Sequence, residues 1–245
     1  MQLPHIRRTI TGKIPQPLRF QARRLLFRGS ARICPECGNA VRGFKAHGGG
    51  PEVLQRRQVV GGMRREGDSC PVCHGRDRTR LMMRFLSLHA GVGVQPKRLL
   101  HVAPDFGLYL WLKRQAQLDY TACDIDARRY RHIPGAVTAD LMNLPFPDAG
   151  FDLILCSHVL EHVPDDRRAM GELLRILRPG GAALLLVPFA TDGKGTDEDP
   201  GVRDPADRER RFGQWDHVRL YDRDDFVGRL REAGFEVSLY APFEE

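Results

Sequence analysis

Residues Val137 to Pro164 read VTADLMNLPFPDAGFDLILCSHVLEHVP, and this stretch decides the fold. It holds two apolar runs joined by a proline-rich turn. Val137 to Ala139 is too short for a helix and stops at Asp140. Phe151 to Cys156 is continuously apolar, as expected of a strand covered on both faces, and is followed by Ser157 and His158. In an open parallel sheet the ligand crevice lies beyond the carboxyl ends of the strands, so Asp140, Ser157 and His158 fall where a reaction is expected.

Upstream, Arg98 to Ala103 (RLLHVA) reads as a short buried strand, Pro104-Asp105-Phe106-Gly107 as a turn, and Leu108 to Gln115 as a helix. Tyr120 to Cys123 then forms a second strand that ends at Asp124. This is a βαβ unit whose closing acid is spaced from the turn as a ribose ligand would be. The turn is poor in glycine. Pro104 has no N–H and Asp105 is negative, so a pyrophosphate is disfavoured there. S-adenosylmethionine has a ribose and an adenine but no phosphate, and its positive charges tolerate a nearby carboxylate.

These segments, with LRPGG at Leu177 to Gly181 and HVRLYDRDDFVGRLREAGFEV at His217 to Val237, resemble class I S-adenosylmethionine-dependent methyltransferases. The likeness covers about Arg98 to Leu239. It is greatest to bacterial proteins with an HVAPE-like first motif and an N-terminal CPxCG ribbon. The resemblance implies a Rossmann-like, doubly wound α/β fold, with Ala103, Asp105 and Gly107 lining the methionine portion. It further implies that Asp124 holds the ribose hydroxyls, that Asp140 accepts from the adenine amine, and that Leu141 offers its backbone N–H to the ring. Ser157 and His158 would border the transferring methyl. Asp also favours turns and helix starts, so Asp124 and Asp140 have a plain structural reading beside the functional one.

Cys34-Pro35-Glu36-Cys37 and Cys70-Pro71-Val72-Cys73 are two knuckles of the same C-P-x-C form. Each can turn two thiolates toward one ion. Together Cys34, Cys37, Cys70 and Cys73 make a closed tetrahedral zinc site of structural type, with His74 as a spare candidate ligand. The insert Asn39 to Ser69 is rich in Gly and Arg and reads as a loose middle, with Val53-Leu54 and Val59-Val60 as strand-like pieces. Arg80 to His89 reads as a joining helix. The expected organisation is therefore a basic amphipathic arm over 1–30, a ribbon over 31–80, a connecting helix over 81–97, and a methyltransferase domain over 98–245.

Charge is uneven: the first 80 residues carry a net +12 and the remainder −5 of the formal +7. Pro17 to Gly29 places Leu18, Ala22, Leu25 and Leu26 at helical spacing among arginines. That pattern suits either RNA phosphate, an anionic membrane surface, or docking of the stripe on the protein itself. No apolar run approaches the ~18 residues of a span, and arginines interrupt the N-terminal region. The reading is a cytoplasmic protein whose cysteines stay reduced.

His158-Val159-Leu160-Glu161-His162 also matches the H-x-x-E-H of inverted zinc peptidases. That motif belongs on a continuous helix, whereas here it follows a strand directly and precedes Pro164. Past it, Asp165 to Leu177 reads as a helix and Ala182 to Val187 as a strand. A charged connection of more than thirty residues follows, with Trp215 as its expected anchor and His217 near its end. Asp224 to Ala233 is a helix and Phe235 to Tyr240 a sixth strand. A seventh, antiparallel strand, normal for the family, has no residues left to form it. The expected activity is methyl transfer to an O or N atom of a small-molecule or saccharide-type acceptor, with His158 or His217 as base. The alternatives are an RNA methyltransferase that uses the basic front, and a non-catalytic zinc-ribbon adaptor.

Overall fold

The computed structural model describes residues 14–240. Residues 1–13 of the basic arm and residues 241–245 lie outside the described residues. The N-terminal part comprises α1 (Gln16–Leu26), β1 (Arg28–Ile33), β2 (Ala40–Val41), β3 (Lys45–His47), α2 (Glu52–Arg56) and β4 (Arg65–Ser69). Two antiparallel pairs, β1 with β2 and β3 with β4, frame the cysteine knuckles. The main sheet follows α3 (Asp77–Leu88). It comprises β5 (Lys97–Val102), α4 (Phe106–Leu112), β6 (Leu118–Asp124), β7 (Val137–Thr138), β8 (Phe151–Ser157), α5 (Asp166–Ile176) and β9 (Leu177–Leu186). Its strand order is β7-β6-β5-β8-β9, and every pairing is parallel.

The apolar run of β8 is explained by its two covered faces. Ile154 and Cys156 join Leu100 and Val102 against Ala169, Met170, Leu173 and Ile176 of α5. Leu153 and Leu155 point the other way, with Leu99, onto Met82 and Leu86 of α3 and Leu108 and Leu112 of α4. Successive side chains of a strand alternate in direction, so a strand sandwiched between helices must be apolar throughout. Helix α3 is therefore a layer of the main domain rather than a connector, with Met82 and Leu86 fully buried. It starts at Asp77, ahead of the expected Arg80.

Three expectations need correction. The connection after β9 is not a bare loop. It builds β10 (Phe189–Ala190), β11 (Asp197–Glu198), α6 (Pro205–Phe212) and β12 (Arg219–Asp222), the strands forming a second sheet in the order β10-β12-β11. Its anchors are Phe212, Leu220 and Tyr221, all buried, whereas Trp215 is half exposed. The ribbon's middle is not loose either. Val53 and Val59 are buried against Phe212, Ala190 and Leu220, and Val60 bridges to Phe189. Val53 and Leu54 lie on α2 rather than on a strand.

The third concerns the sheet edge. After α7 (Arg223–Glu232), residues 235–240 form no strand. Phe235 and Val237 pack on the α5 side of the sheet, while Tyr240 reaches Phe85 of α3 on the other side, ring centroids 5.1 Å apart. The segment passes around the edge from one face to the other, and so β9 is left as an edge strand. The predicted apolar stripe of α1 also faces outward, with Leu25 78% exposed. Phe20 makes the contact instead, meeting Phe106 edge-on at 5.4 Å.

Candidate active site

The carboxyl ends of β5, β6, β7 and β8 bring together most of the residues singled out in the sequence. Ala103 follows β5 with φ 47°, the left-handed conformation that glycine takes most easily. Asp105 occupies the N-cap position of α4, but its carboxylate meets Arg78 at 3.3 Å rather than a helix N–H. Asp124, buried at the end of β6, accepts a bond from the Asp126 amide at 2.8 Å. Asp140 accepts from the Met142 amide at 2.9 Å, and Leu141 beside it is buried. Both aspartates thus serve their own turns, which fixes each carboxylate in place. Tyr130 packs near Asp124, and its hydroxyl is held in the protonated form by burial and by that carboxylate.

Gly107 is set by something sequence reasoning did not anticipate. A Cβ there would lie 2.2 Å from a Glu36 carboxylate oxygen, 3.1 Å from the Cys73 sulfur and 3.1 Å from Gly75 Cα. The ribbon docks on the start of α4, and Glu36, fully buried, is the wedge. Its Oε1 accepts from the Thr79 hydroxyl at 2.9 Å, and burial pushes its pKa up to about 8. The four cysteine sulfurs lie within 4.8 Å of one another, with Cys34 to Cys73 at 3.7 Å and Cys37 to Cys70 at 4.0 Å. A tetrahedral zinc with four thiolates separates sulfurs by roughly 3.8 Å. The donor set and its spacing fit that ion, and His74 stands apart from it, exposed.

Ser157 ends β8 with its hydroxyl buried and without a hydrogen-bond partner among the described residues. His158 comes next at φ 56°, a second non-glycine residue in the left-handed region. Its Nδ1 lies 3.3 Å from Glu161 Oε1. Burial works against ionising Glu161, but His158, with His162 and His217 beyond it, holds the carboxyl below the usual range. His217 is buried, which lowers its pKa, and its Nδ1 lies 3.1 Å from the Phe212 carbonyl. The His162 and His217 rings meet edge-on at 4.7 Å. The structure therefore brings the two candidate bases, His158 and His217, to one group around Glu161.

Glu161 and His162 had not been assigned to the site. Their signal was the H-x-x-E-H string, whose residues do converge here, on a short 3-10 turn (Leu160–His162) rather than on a long helix. Arg219 holds that turn by donating to the carbonyls of Leu160 and Pro164 at 3.0 and 2.8 Å.

Residues 74–239 match the family described as a methyltransferase domain, well over half of the chain. The chain belongs to that family. It carries a methyltransferase domain built on a Rossmann-like parallel sheet. It is 36% identical over 102 residues to a 27-O-demethylrifamycin SV methyltransferase of Amycolatopsis mediterranei, covering 40% of this chain and 34% of that one. It is also 28% identical over 170 residues to a malonyl-[acyl-carrier protein] O-methyltransferase of Halorhodospira halophila, covering 62% and 52%. The chain thus spans about a third to a half of the length of these curated relatives. Among solved structures, the [4+2]-cyclase SpnF superposes with a TM-score of 0.51 at 23% identity, over 66% of this chain and 59% of that one, a likeness of fold alone. No helix among the described residues is long and apolar enough to cross a membrane.

Proposed function

We propose that this methyltransferase modifies an oxygen or nitrogen atom of a small-molecule acceptor. In this reading the backbone around Ala103, Asp105 and Gly107 receives the methionine portion of the cofactor. Asp124 takes the ribose hydroxyls, Asp140 and the Leu141 amide take the adenine, and Ser157 and His158 border the reacting methyl. When bound, S-adenosylmethionine supplies an electrophilic methyl group. The protein's share is to align the acceptor, exclude water and receive a proton.

The observation that carries the proposal is the placement of two anchored carboxylates, Asp124 at the end of β6 and Asp140 just past the end of the neighbouring β7. The relatives add support for the acceptor class, one being named for 27-O-demethylrifamycin SV and another for O-methylation. In calorimetric titration with S-adenosylhomocysteine, Asp124→Ala and Asp140→Ala should each lose ~1.5 to 3 kcal/mol, the value of a hydrogen bond to a charged group. That is about a 10- to 150-fold weakening. Unchanged affinity in both variants would move the crevice elsewhere.

The cysteine group is proposed to hold one structural zinc. All four positions of the ion would be filled by thiolate, leaving none for an acceptor.

A further inference from the structure

The turn after β8 and the turn before β12 bring Glu161, His162 and His217 so close that one ligand-capable atom of each lies within 4.8 Å of the others. The cofactor reading uses none of this group. Glu161 is 0% exposed, and apart from His158 Nδ1, 3.3 Å from Oε1, no polar partner meets its oxygens among the described residues. A buried carboxylate of this kind needs a positive charge beside it.

The hydrogen bonds of the two rings are informative. His217 Nδ1 faces the Phe212 carbonyl at 3.1 Å. His162 Nδ1 faces the Asp216 carbonyl at 3.3 Å and the Asp216 carboxylate at 3.6 Å. A carbonyl can only accept, so in each neutral ring the proton resides on Nδ1 and the lone pair on Nε2. An oxygen acceptor on the far nitrogen is the arrangement that orients metal-ligating histidines.

We propose that Glu161, His162 and His217 bind a divalent first-row metal ion, and that this ion takes an oxygen of the methyl acceptor. Two imidazoles and one carboxylate suit Mn²⁺, Fe²⁺, Co²⁺, Ni²⁺ or Zn²⁺ better than Mg²⁺ or Ca²⁺, and three protein ligands leave positions open for substrate. A groove of about 1930 Å³ has His158, Glu161, His162 and His217 in its lining. The inference rests on the methyltransferase reading of the crevice and narrows it to oxygen methylation.

The ion lowers the pKa of the bound hydroxyl. The acceptor oxygen then forms the new C–O bond with a lone pair while the methyl–sulfur bond pair returns to sulfur. The products are a methyl ether and S-adenosylhomocysteine. The hydroxyl proton passes to His158, which lies beside Glu161 and is partly exposed, and from there to water. An acceptor carrying a second oxygen next to the reacting hydroxyl fits best, because it fills two open positions.

The test uses the full chain with zinc already in the cysteine site, titrated with Co²⁺ and followed by visible absorption and equilibrium dialysis. Nitrogen and oxygen ligands give weak d–d bands without the thiolate charge-transfer band of a cysteine site. The wild type should bind one Co²⁺ per chain with such a spectrum. Glu161→Gln should weaken this at least about tenfold, as loss of a ligand must exceed loss of a supporting contact. His162→Asn, at a partly exposed position, should do the same and carries the test if Glu161→Gln does not fold. A folded wild type that binds no Co²⁺ with this spectrum, or equal binding by a folded variant, overturns the site. S-adenosylhomocysteine affinity is measured in the same samples. Its absence in the wild type would count against the methyltransferase crevice, while the Co²⁺ readout would still decide the metal site.

Discussion

Ala103 carries a side chain in a conformation that costs L-residues roughly 1–2 kcal/mol, and it does so at the first position of the turn after β5. In sequence this position reads as a departure from a glycine-rich turn. In the structure the backbone takes the glycine conformation all the same, so the shape of the turn is kept while its flexibility is lost. Ala103→Gly should therefore relieve strain, offset in part by the ~0.5–1 kcal/mol that glycine's greater freedom costs. Thermal unfolding should show an unchanged or slightly raised Tm, and a drop of several degrees would mean that the methyl group packs usefully. At this scale the positions of Asp124 and Asp140 at strand ends were legible because each closes a short apolar run. Glu36 and Glu161 were not, since the sequence does not show that both would be fully buried.

Among the elements, α6 could have been found before the structure. Asp204 caps it by accepting from the amides of Ala206 and Asp207, Pro205 takes the first turn, and Gly213 ends it at φ 89°. The charged surface of the segment hid a helix whose start and stop signals were complete. The element it supports is held by ions: Arg229 bonds Glu198 at 2.6 Å and Asp166 at 2.8 Å, and Arg219 bonds Glu198 at 2.9 Å. The Arg229 hydrogen bond, with Arg219 helping, brings the Glu198 pKa down to about 2. A depressed carboxyl stabilises above its unfolded pKa and loses that contribution as pH falls through the folded value. The Tm difference between wild type and Glu198→Gln should be constant above about pH 5 and shrink steadily toward pH 2. A pH-independent difference would assign the contact to shape rather than charge. Helix α1 gives the opposite case. Its leucines match an amphipathic pattern, but Leu25 is exposed, and Leu25→Ser should alter stability by less than about 0.5 kcal/mol in denaturant unfolding.

For the molecule as a whole, the order of the parallel sheet was readable because each buried strand announces itself by a run of apolar residues. The docking of the ribbon was not. Arg57, for example, pairs with Asp192 at 2.8 Å and donates to the Gly195 carbonyl at 2.7 Å, contacts across a separation that leaves no periodic trace. The ribbon's wedge on α4 ties the cysteine group to the turn that includes Asp105. Stripping the metal with a chelator should therefore weaken S-adenosylhomocysteine binding as well as lower the Tm, both recovering when zinc is restored. Gly107→Ala should reproduce part of this with zinc still bound, at a cost of ~1–3 kcal/mol, because a methyl group would press on Gly75 and Glu36. Full stability and affinity in Gly107→Ala would show that the interface yields freely.

The bridge from Val60 to Phe189 also sets a timetable. During synthesis the cysteines from Cys34 to Cys73 leave the ribosome before the main sheet is made and could gather the proposed zinc early. Val53 and Val59, held between the two knuckles, must then wait for Phe212 and Leu220 before their apolar surface is covered. With the proposed zinc bound, the nascent chain would for most of translation present a finished cysteine knot with an unfinished flank. That interval is when a chaperone would have most to hold.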